Sequence, residues 1–336
     1  MKATKYSEKL FKLPQNKKNL MTDTFLTSAL TFFESHRHTS LKTLHQSYEG
    51  LSKGYRSESG VKKQGFSNHD ERLSYLMARF PATYAACLDV LKRMPDGIHP
   101  TSILDLGCGP GTASLAAHGL FPSIQSFTLI ENDAAMLSTA VEMLQQHIPT
   151  PEALRGNILT TPFPTADLVM LSYVLTEFSE NEQHTILEKA WNATKSVLVL
   201  ITPGASQHFG GFLKLRNWII NSGGYIAAPC PNHLPCPMAN TKDWCHFKAR
   251  VSRTSMHRKL KNASLGYEDE PYSYLIVTRH PTQTVKARII QRPLEKPGHV
   301  ILDLCMDGGL SRRIISRKDA LYKRAKKLLL GDGLDT

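Results

Sequence analysis

The sequence lacks long hydrophobic runs. No stretch of about 18 apolar residues occurs, so no membrane-spanning helix is predicted. The lysines of the first 21 residues are followed by no apolar core, which argues against a secretory signal. We therefore expect a reducing compartment, the bacterial cytoplasm, with the mitochondrial matrix as the alternative.

Acidic residues are also in short supply. Lysine and arginine outnumber them 41 to 29, which gives a net charge of +12. Such an excess is either solvated or neutralised by an anionic partner. RNA or DNA phosphate is the leading candidate for that partner, and an anionic membrane surface is the second.

Cysteine is scarce, with six residues in 336, and in a reducing compartment this favours thiols or metal ligands over disulfides. Four of them form a pattern of three clustered residues and one distant one: Cys230, Cys236, Cys245 and Cys305. The first three lie in a segment rich in glycine and proline, and the fourth ends an apolar strand. Together they could clamp an irregular excursion onto a rigid sheet.

The kind of metal is left open by the spacing. The closely spaced cysteine pairs of most zinc sites are missing, and so is the Cys-x3-Cys-x2-Cys arrangement of radical S-adenosylmethionine enzymes. Cys230 and Cys236 each precede a proline, a step found around iron–sulfur clusters. The pattern therefore leans mildly toward a structural iron–sulfur cluster, with zinc as the alternative.

From Thr101 the sequence contains short apolar strands that alternate with helices. Strands are predicted over residues 102–106, 127–130, 153–156, 168–172 and 197–201, and helices over residues 112–119, 134–147 and 181–194. This alternation predicts a Rossmann-like α/β fold with a doubly wound parallel sheet.

Four regions are expected along the chain. Residues 1–98 read as a helical N-terminal region, and residues 99–222 as the Rossmann-like domain. Residues 223–262 form a cysteine-rich, metal-binding excursion with a basic segment. Residues 263–336 are expected to supply strands that complete the sheet, and then a basic terminal helix over residues 318–330.

A glycine loop follows the first predicted strand. Asp105 precedes Gly107, Gly109 and Gly111, and glycine lets the backbone turn tightly and approach a ligand closely. The spacing is Gly-x-Gly-x-Gly, which differs from the dinucleotide pattern Gly-x-Gly-x-x-Gly. Glu131 ends the next strand, where a carboxylate can accept both ribose hydroxyls. Together these features favour S-adenosylmethionine over NAD.

Further candidates lie where later strands end. Asn157 is placed to bond the adenine edge, although it could equally cap a turn, and Ser172 ends the fourth strand beside the pocket. Tyr173 and Glu177 are candidates near a methyl acceptor. The Asn-Pro-Pro-Tyr motif for an exocyclic amine is missing, as is a convincing cysteine nucleophile. The sequence therefore supports cofactor binding more firmly than turnover.

Several short motifs extend this pattern from about residue 51 to residue 332. Besides the glycine loop and the four cysteines they are LSKGYR at 51–56, ARFPATYAA at 78–86, SYVL at 172–175, Pro203-Gly204, WCHF at 244–247, YEDE at 267–270 and Gly331-Asp332. In these motifs the chain resembles the methyltransferase-like assembly factors of the mitochondrial small ribosomal subunit and their bacterial relatives. The order of the cysteines with Trp244 and His246 is the most specific part of the resemblance.

The resemblance implies a class I methyltransferase fold with an S-adenosylmethionine pocket. It also implies a [4Fe–4S] cluster on Cys230, Cys236, Cys245 and Cys305, and a role in assembling the small ribosomal subunit through contact with its RNA. Such proteins are named for their fold, so two alternatives stay open: methylation of ribosomal RNA, and a zinc-bearing methyltransferase that acts on protein or a small molecule. Two basic segments, at residues 248–261 and 312–327, would then contact phosphate.

Overall fold

The computed structural model describes residues 20–56 and 68–335. Within these ranges, eight strands form the main sheet in the order β3-β2-β1-β4-β5-β8-β6, with β7 also paired to β8. Their bounds are β1 Ser102–Leu106, β2 Ser126–Glu131, β3 Glu152–Arg155, β4 Ala166–Ser172, β5 Thr194–Pro203, β6 Tyr225–Ala228, β7 Phe247–Ser252 and β8 Tyr267–Thr278.

Helices cover both faces of this sheet. Their bounds are α1 Leu20–His36, α2 Leu41–Arg56, α3 His69–Leu91, α4 Thr112–Leu120, α5 Ala134–Gln145, α6 Glu180–Ala193, α7 Ser206–Asn221, α8 Ser255–Leu260 and α9 Tyr322–Ala325. Alternate residues of β1 face opposite layers, as the two-residue period of a strand requires. Ile103 packs with α1, α3, α4 and α5, whereas Leu104 packs with α6 and α7. None of the helices described is long and apolar enough to span a membrane.

The strand order identifies the fold. β1 to β5 pair in parallel, whereas β8 runs antiparallel to β5 and lies between β5 and β6. The order reverses between β1 and β4, and ligands of such sheets bind at the carboxyl ends of strands beside this switch point. The expected Rossmann-like class I methyltransferase fold is therefore confirmed.

The C-terminal part differs from the expectation that its strands would complete the main sheet. Only β8 does so. The later described strands form a second sheet: β9 Ala287–Ile289, β10 Leu294–Lys296, β11 His299–Met306, β12 Gly309–Ser316 and β13 Gly333–Leu334. This sheet buries its own small apolar cluster, which includes Leu302 and Ile315.

The predicted basic terminal helix is much shorter than expected. Of residues 318–330, only the four residues of α9 are α-helical. Ala325 is buried and packs with Ile315 of the second sheet, so tertiary packing and not helical periodicity determines this segment. Near the N-terminus, α2 continues to Arg56. The N-terminal lysines up to Lys18 and residues 57–67 lie outside the described residues.

Candidate functional site

The glycine loop links β1 to α4, and its glycines have different surroundings. All three adopt positive φ angles, which are +66° at Gly107, +54° at Gly109 and +76° at Gly111, a region that favours glycine. A Cβ on Gly107 would lie 2.4 Å from Cγ2 of Val174, whereas a Cβ on Gly109 would meet nothing within 4 Å. Gly109 therefore borders the space that a ligand could occupy.

Asp105 is buried beneath this loop. Its Oδ2 accepts hydrogen bonds from the backbone N–H of Ser114 at 3.1 Å and from the Ser114 hydroxyl at 2.7 Å. Burial raises the pKa of Asp105 to about 6, although the bonds from Ser114 oppose the shift. In this structure the carboxylate ties β1 to α4, so Asp105 acts on the pocket by holding the loop.

Glu131 lies at the end of β2, across from the loop. Its Oε2 accepts from the backbone N–H of Gly109 at 3.0 Å, and its Oε1 accepts from that of Asp133 at 3.0 Å. Burial raises the pKa of Glu131, while these bonds lower it. The carboxylate therefore stands beside the open side of the glycine loop, at the position expected for a ribose ligand.

The other two predicted cofactor residues have partners within the protein. Asn157 is exposed, and its Oδ1 accepts from the backbone N–H of Leu159 at 2.9 Å, which is the turn-capping role considered as its alternative. The Ser172 hydroxyl lies 3.4 Å from Sγ of the buried Cys87.

Tyr173 follows β4 in an unusual conformation. Its φ is +61°, which is rare for a residue with a bulky side chain, and its N–H donates to the Ile201 carbonyl at 2.7 Å. The hydroxyl is buried and has no hydrogen-bond partner within the described part of the chain. Burial raises its pKa well above the ordinary value, and the nearby Glu270 carboxylate adds to the effect.

An ion pair that the sequence did not reveal lies beside Tyr173. Arg79 of α3 donates two hydrogen bonds to Glu270 of β8, at 3.1 and 2.8 Å, and its guanidinium carbon lies 5.9 Å from the centre of the Tyr173 ring. Glu177 is exposed at the end of a 3₁₀ turn, and its charge helps to raise the pKa of Glu131. Tyr173 thus lies beside a partly buried ion pair, and Glu177 lies near enough to Glu131 to affect its pKa.

The four clustered cysteines are brought together. Cys230, Cys236, Cys245 and Cys305 line one cavity of about 40 Å³, which is more room than one water needs. All four are free thiols. Burial raises the pKa of Cys305 to about 12, and the neighbouring Cys230 and Cys236 add to the shift. Within the described ranges, no three His, Cys, Asp or Glu side chains are arranged to hold a single metal ion.

The cysteine excursion is tied to the main sheet by hydrogen bonds. The Ser273 hydroxyl of β8 donates to the Cys245 carbonyl at 2.8 Å, and the Trp244 indole donates to the Gly204 carbonyl at 2.8 Å. A Cβ on Gly204 would lie 2.6 Å from the backbone nitrogen of Tyr272, so only glycine permits this close approach of the chains. The Pro203-Gly204 motif therefore serves the cysteine site.

Two arginines of the same cavity were missed by sequence reasoning. Arg216 of α7 and Arg288 of β9 are only 3% and 6% exposed, and both line the cavity with the four cysteines. A signal for Arg216 was present, because it lies between Phe212 and Ile219 on the apolar face of its helix. No comparable signal marked Arg288, since its strand is only three residues long.

Each basic segment contains both acid-paired and unpaired cations, and in the first the exposed Lys248, Arg258 and Lys259 have no ion-pair partner within the described chain. In the first, acids partner three cations: Asp269 binds Arg250, and Glu268 binds both Arg253 and Lys261. In the second, Arg312 pairs with Asp303 and Lys326 with Glu295. Five exposed cations of residues 317–327 have no ion-pair partner within the described chain: Arg317, Lys318, Lys323, Arg324 and Lys327.

Comparison with curated proteins finds two relevant relatives. The chain is 25% identical over 289 residues to "Ribosome assembly protein METTL17, mitochondrial" of Homo sapiens, covering 77% of this chain and 61% of that protein. It is 25% identical over 319 residues to "Rsm22-cox11 tandem protein 2, mitochondrial" of Schizosaccharomyces pombe, covering 77% of this chain and 42% of that protein. The chain thus spans less than two thirds of the length of either relative.

Solved structures give looser matches. An O-methyltransferase family protein from Burkholderia thailandensis overlaps 70% of this chain and 68% of its own, at 15% identity and a TM-score of 0.45. An overlap of this quality says nothing about ligand or reaction.

A family model provides the broadest match. The model described as "Mitochondrial small ribosomal subunit Rsm22" matches residues 69–335. This match begins at the first residue of α3 and includes the glycine loop, all four clustered cysteines and the second sheet. The chain therefore belongs to the Rsm22 family.

Proposed function

We propose that this protein is an assembly factor of the small ribosomal subunit that binds ribosomal RNA, S-adenosylmethionine and a [4Fe–4S] cluster. The observation that carries the proposal is the family match, because it spans both the glycine-loop domain and the cysteine site. The curated relative named as a ribosome assembly protein supports the same role. The whole relatives are longer than this chain, so their full activities are not transferred.

The pocket for S-adenosylmethionine is supported by its position and its donors. It lies at the carboxyl ends of β1 and β2, beside the switch point of the sheet. Gly109 leaves open space, and the Glu131 carboxylate beside it can accept the two ribose hydroxyls once it exchanges its bond from the Gly109 amide. Asp105 holds the loop in place through Ser114.

The proposed iron–sulfur cluster is supported by the four cysteines that share one cavity, and zinc stays the alternative. Around one zinc ion the sulfurs lie at about 2.3 Å from the metal and close to one another. The four thiols line one cavity of about 40 Å³, and an iron–sulfur cluster is held by four such thiolates. When bound, the cluster would supply a rigid joint and no open iron, because four thiolates saturate it. The role of the protein is to bring the cysteine-containing loop and β11 together at the cluster.

Contact with RNA is supported by the exposed cations of residues 317–327. Cations that already pair with acids have less to gain from phosphate, whereas the five without partners are available. Each phosphate contact releases counterions, so affinity should fall steeply with salt.

The test of the RNA proposal is a binding titration against small-subunit ribosomal RNA at several salt concentrations. Changing Lys323, Arg324 and Lys327 to Ala should weaken binding and lower the slope of log affinity against log salt by about 2 to 3. The matched control changes three acid-paired cations, Arg250, Arg312 and Lys326, to Ala and should lower it less. Equal slopes for the two triple variants and the wild type would refute the assignment of this surface.

Methyl transfer is the second candidate function, and the conformation of Tyr173 favours it. A positive φ at a tyrosine with a buried, unpartnered hydroxyl is the kind of strain found at functional sites. Mapping the methylated bases of ribosomal RNA in a deletion strain tests this. A mark that returns with the wild type but not with Glu131→Gln supports methylation, whereas an unchanged methylation map contradicts it.

The compartment is proposed from the relatives. Both curated relatives carry the word mitochondrial in their names, which supports the mitochondrial matrix alternative. The bacterial cytoplasm stays a prediction from the sequence, and fractionation of the source cells decides between the two.

A further inference from the structure

Two buried arginines share the cysteine cavity. Arg216 donates from Nε to Sγ of Cys230 at 3.3 Å, and from Nη2 to the carbonyls of Asn232 at 3.2 Å and Leu234 at 2.8 Å. Arg288 donates from Nε to the Pro229 carbonyl at 2.8 Å and from Nη1 to the Gly331 carbonyl at 2.9 Å. The hydrogen-bonding partners of the two arginines are thus neutral carbonyls, an amide and a thiol. Neither arginine pairs with a carboxylate in the described part of the chain.

Several other partly buried cations of this fold pair with carboxylates. Arg79 is bound by Glu270, while Arg253 and Lys261 share Glu268. A buried charge without an opposite charge is unfavourable, because the desolvation of the ion is not offset. The cysteine cavity therefore concentrates two positive charges that the protein itself does not neutralise.

We propose that Arg216 and Arg288 are the counter-ions of the anionic group held by the four cysteines. Four thiolates around a doubly charged cubane leave two negative charges, which the two guanidinium groups balance. Arg216 also donates directly to the sulfur of Cys230, and hydrogen bonds to cluster sulfurs are known to adjust cluster properties. The inference rests on the proposed cluster. In it, the two arginines help to retain the cluster and make it easier to reduce.

The test uses the full chain, purified and reconstituted without oxygen, in wild-type form and as Arg216→Met, Arg216→Lys and Arg288→Gln. Iron and sulfide per chain, the rate of iron loss to a chelator, and the midpoint potential in a titration with added reductant are measured. Arg216→Met should lose iron on the order of tenfold faster than the wild type. Its midpoint potential should become more negative, since removing a nearby positive charge disfavours the more reduced, more anionic cluster.

The lysine variant separates charge from structural support. Arg216→Lys keeps the positive charge, so the midpoint potential of this variant should stay near that of the wild type. A lysine cannot make the forked bonds to the carbonyls of Asn232 and Leu234, so the variant tests structural support separately. Arg279→Met is the matched control. Arg279 donates to the backbone carbonyls of Thr194 and Trp191 and does not line the cysteine cavity, so this variant should retain iron and potential unchanged.

Failure of the inference differs from failure of the proposed function. A wild-type protein that takes up no iron or sulfide overturns the cluster itself. A cluster that forms normally, with iron loss and potential unchanged in Arg216→Met and in Arg288→Gln, overturns the counter-ion role alone. Lysine and methionine variants that lose the cluster equally, with equal potentials, would show that Arg216 acts only by supporting the loop. If Arg216→Met does not fold, Arg288→Gln supplies the same comparison.

Discussion

The glycine-loop pocket and the cysteine site are built in opposite ways. In the pocket, the predicted ligand-binding groups already have partners: Asp105 bonds Ser114, and Glu131 bonds the loop amide of Gly109. In the cysteine site, four thiols surround a cavity and two buried arginines have no carboxylate. The comparison teaches that the pocket can keep its shape without a ligand, whereas the two arginines of the cysteine site would be balanced by the anionic cluster that we propose there.

The largest effect is expected from breaking the cysteine site. Cys245→Ser removes one of the four sulfurs, and the loss of a ligand weakens both metal retention and the clamp on the excursion. We expect bound iron to fall by on the order of tenfold or more and the melting temperature to fall with it, measured by iron analysis and calorimetry.

The control for this change is Cys87→Ala. Cys87 is buried beside Ser172 and does not line the cysteine cavity, so the variant should lose some stability and keep its iron. Full iron content and an unchanged melting temperature in Cys245→Ser would remove the basis of the comparison.

A smaller effect is expected from Asp105. Burial raises its pKa to about 6 from the ordinary 3.8, so the folded state binds the proton more tightly than the unfolded state. The ionised carboxylate therefore costs free energy above pH 6, and this cost is relieved as the pH falls toward 3.8. Asp105→Asn should raise the free energy of unfolding at pH 7 by up to about 3 kcal/mol. Denaturant titrations from pH 4 to 7 should show this advantage shrinking in acid.

Asp167 provides a control of opposite sign. Burial raises its pKa, but hydrogen bonds from Thr101 and Ser102 outweigh burial and leave the pKa below the ordinary value. Its contribution to stability is therefore present above the ordinary pKa and lost as the pH falls through the folded value. Asp167→Asn should destabilise the protein at pH 7 and not in strong acid. The same sign of effect for both variants would contradict this electrostatic account.

The glycines sharpen the comparison within the pocket itself. Gly107→Ala places a Cβ against Val174 and should lower the free energy of unfolding by about 1 to 3 kcal/mol. In Gly109→Ala the new Cβ enters open space, so the change should lower the free energy of unfolding by only about 1 to 2 kcal/mol through backbone strain. Relative to the stability that each variant loses, Gly109→Ala should weaken S-adenosylmethionine binding more than Gly107→Ala does. Denaturation and titration calorimetry measure both. A normal affinity in Gly109→Ala would remove that glycine from the pocket.

The smallest effect is expected at Asn157. Its side chain caps a turn and is exposed, so Asn157→Ala should cost about 1 kcal/mol of stability and weaken S-adenosylmethionine binding by less than about tenfold. Glu131→Gln serves as the reference, because it alters the proposed ribose ligand directly. If Asn157→Ala lost as much affinity for S-adenosylmethionine as Glu131→Gln, the main role of Asn157 would be contact with adenine and not capping of the turn.

The sequence predicted the main sheet well because its signals are local. The strand at Ser102–Leu106 was located to the residue, since a buried parallel strand is a short apolar run ended by glycine. The β11–β12 hairpin of the second sheet is local, but its separation from the main sheet was not foreseen, because β9 pairs with β13 across more than forty residues and pairing at that distance leaves no local pattern. The ion pair of Arg79 with Glu270 was hidden for the same reason, as its partners lie on α3 and β8.

The most direct measurement is hydrogen exchange read by mass spectrometry on the same protein with and without each ligand. The backbone N–H groups of Gly107 and Gly111 are already bonded to carbonyls, so removing S-adenosylmethionine should change exchange in residues 105–115 only slightly. Removing the cluster with a chelator should greatly accelerate exchange in residues 229–246 and 303–307. Equal protection of the cysteine region with and without iron would contradict the account.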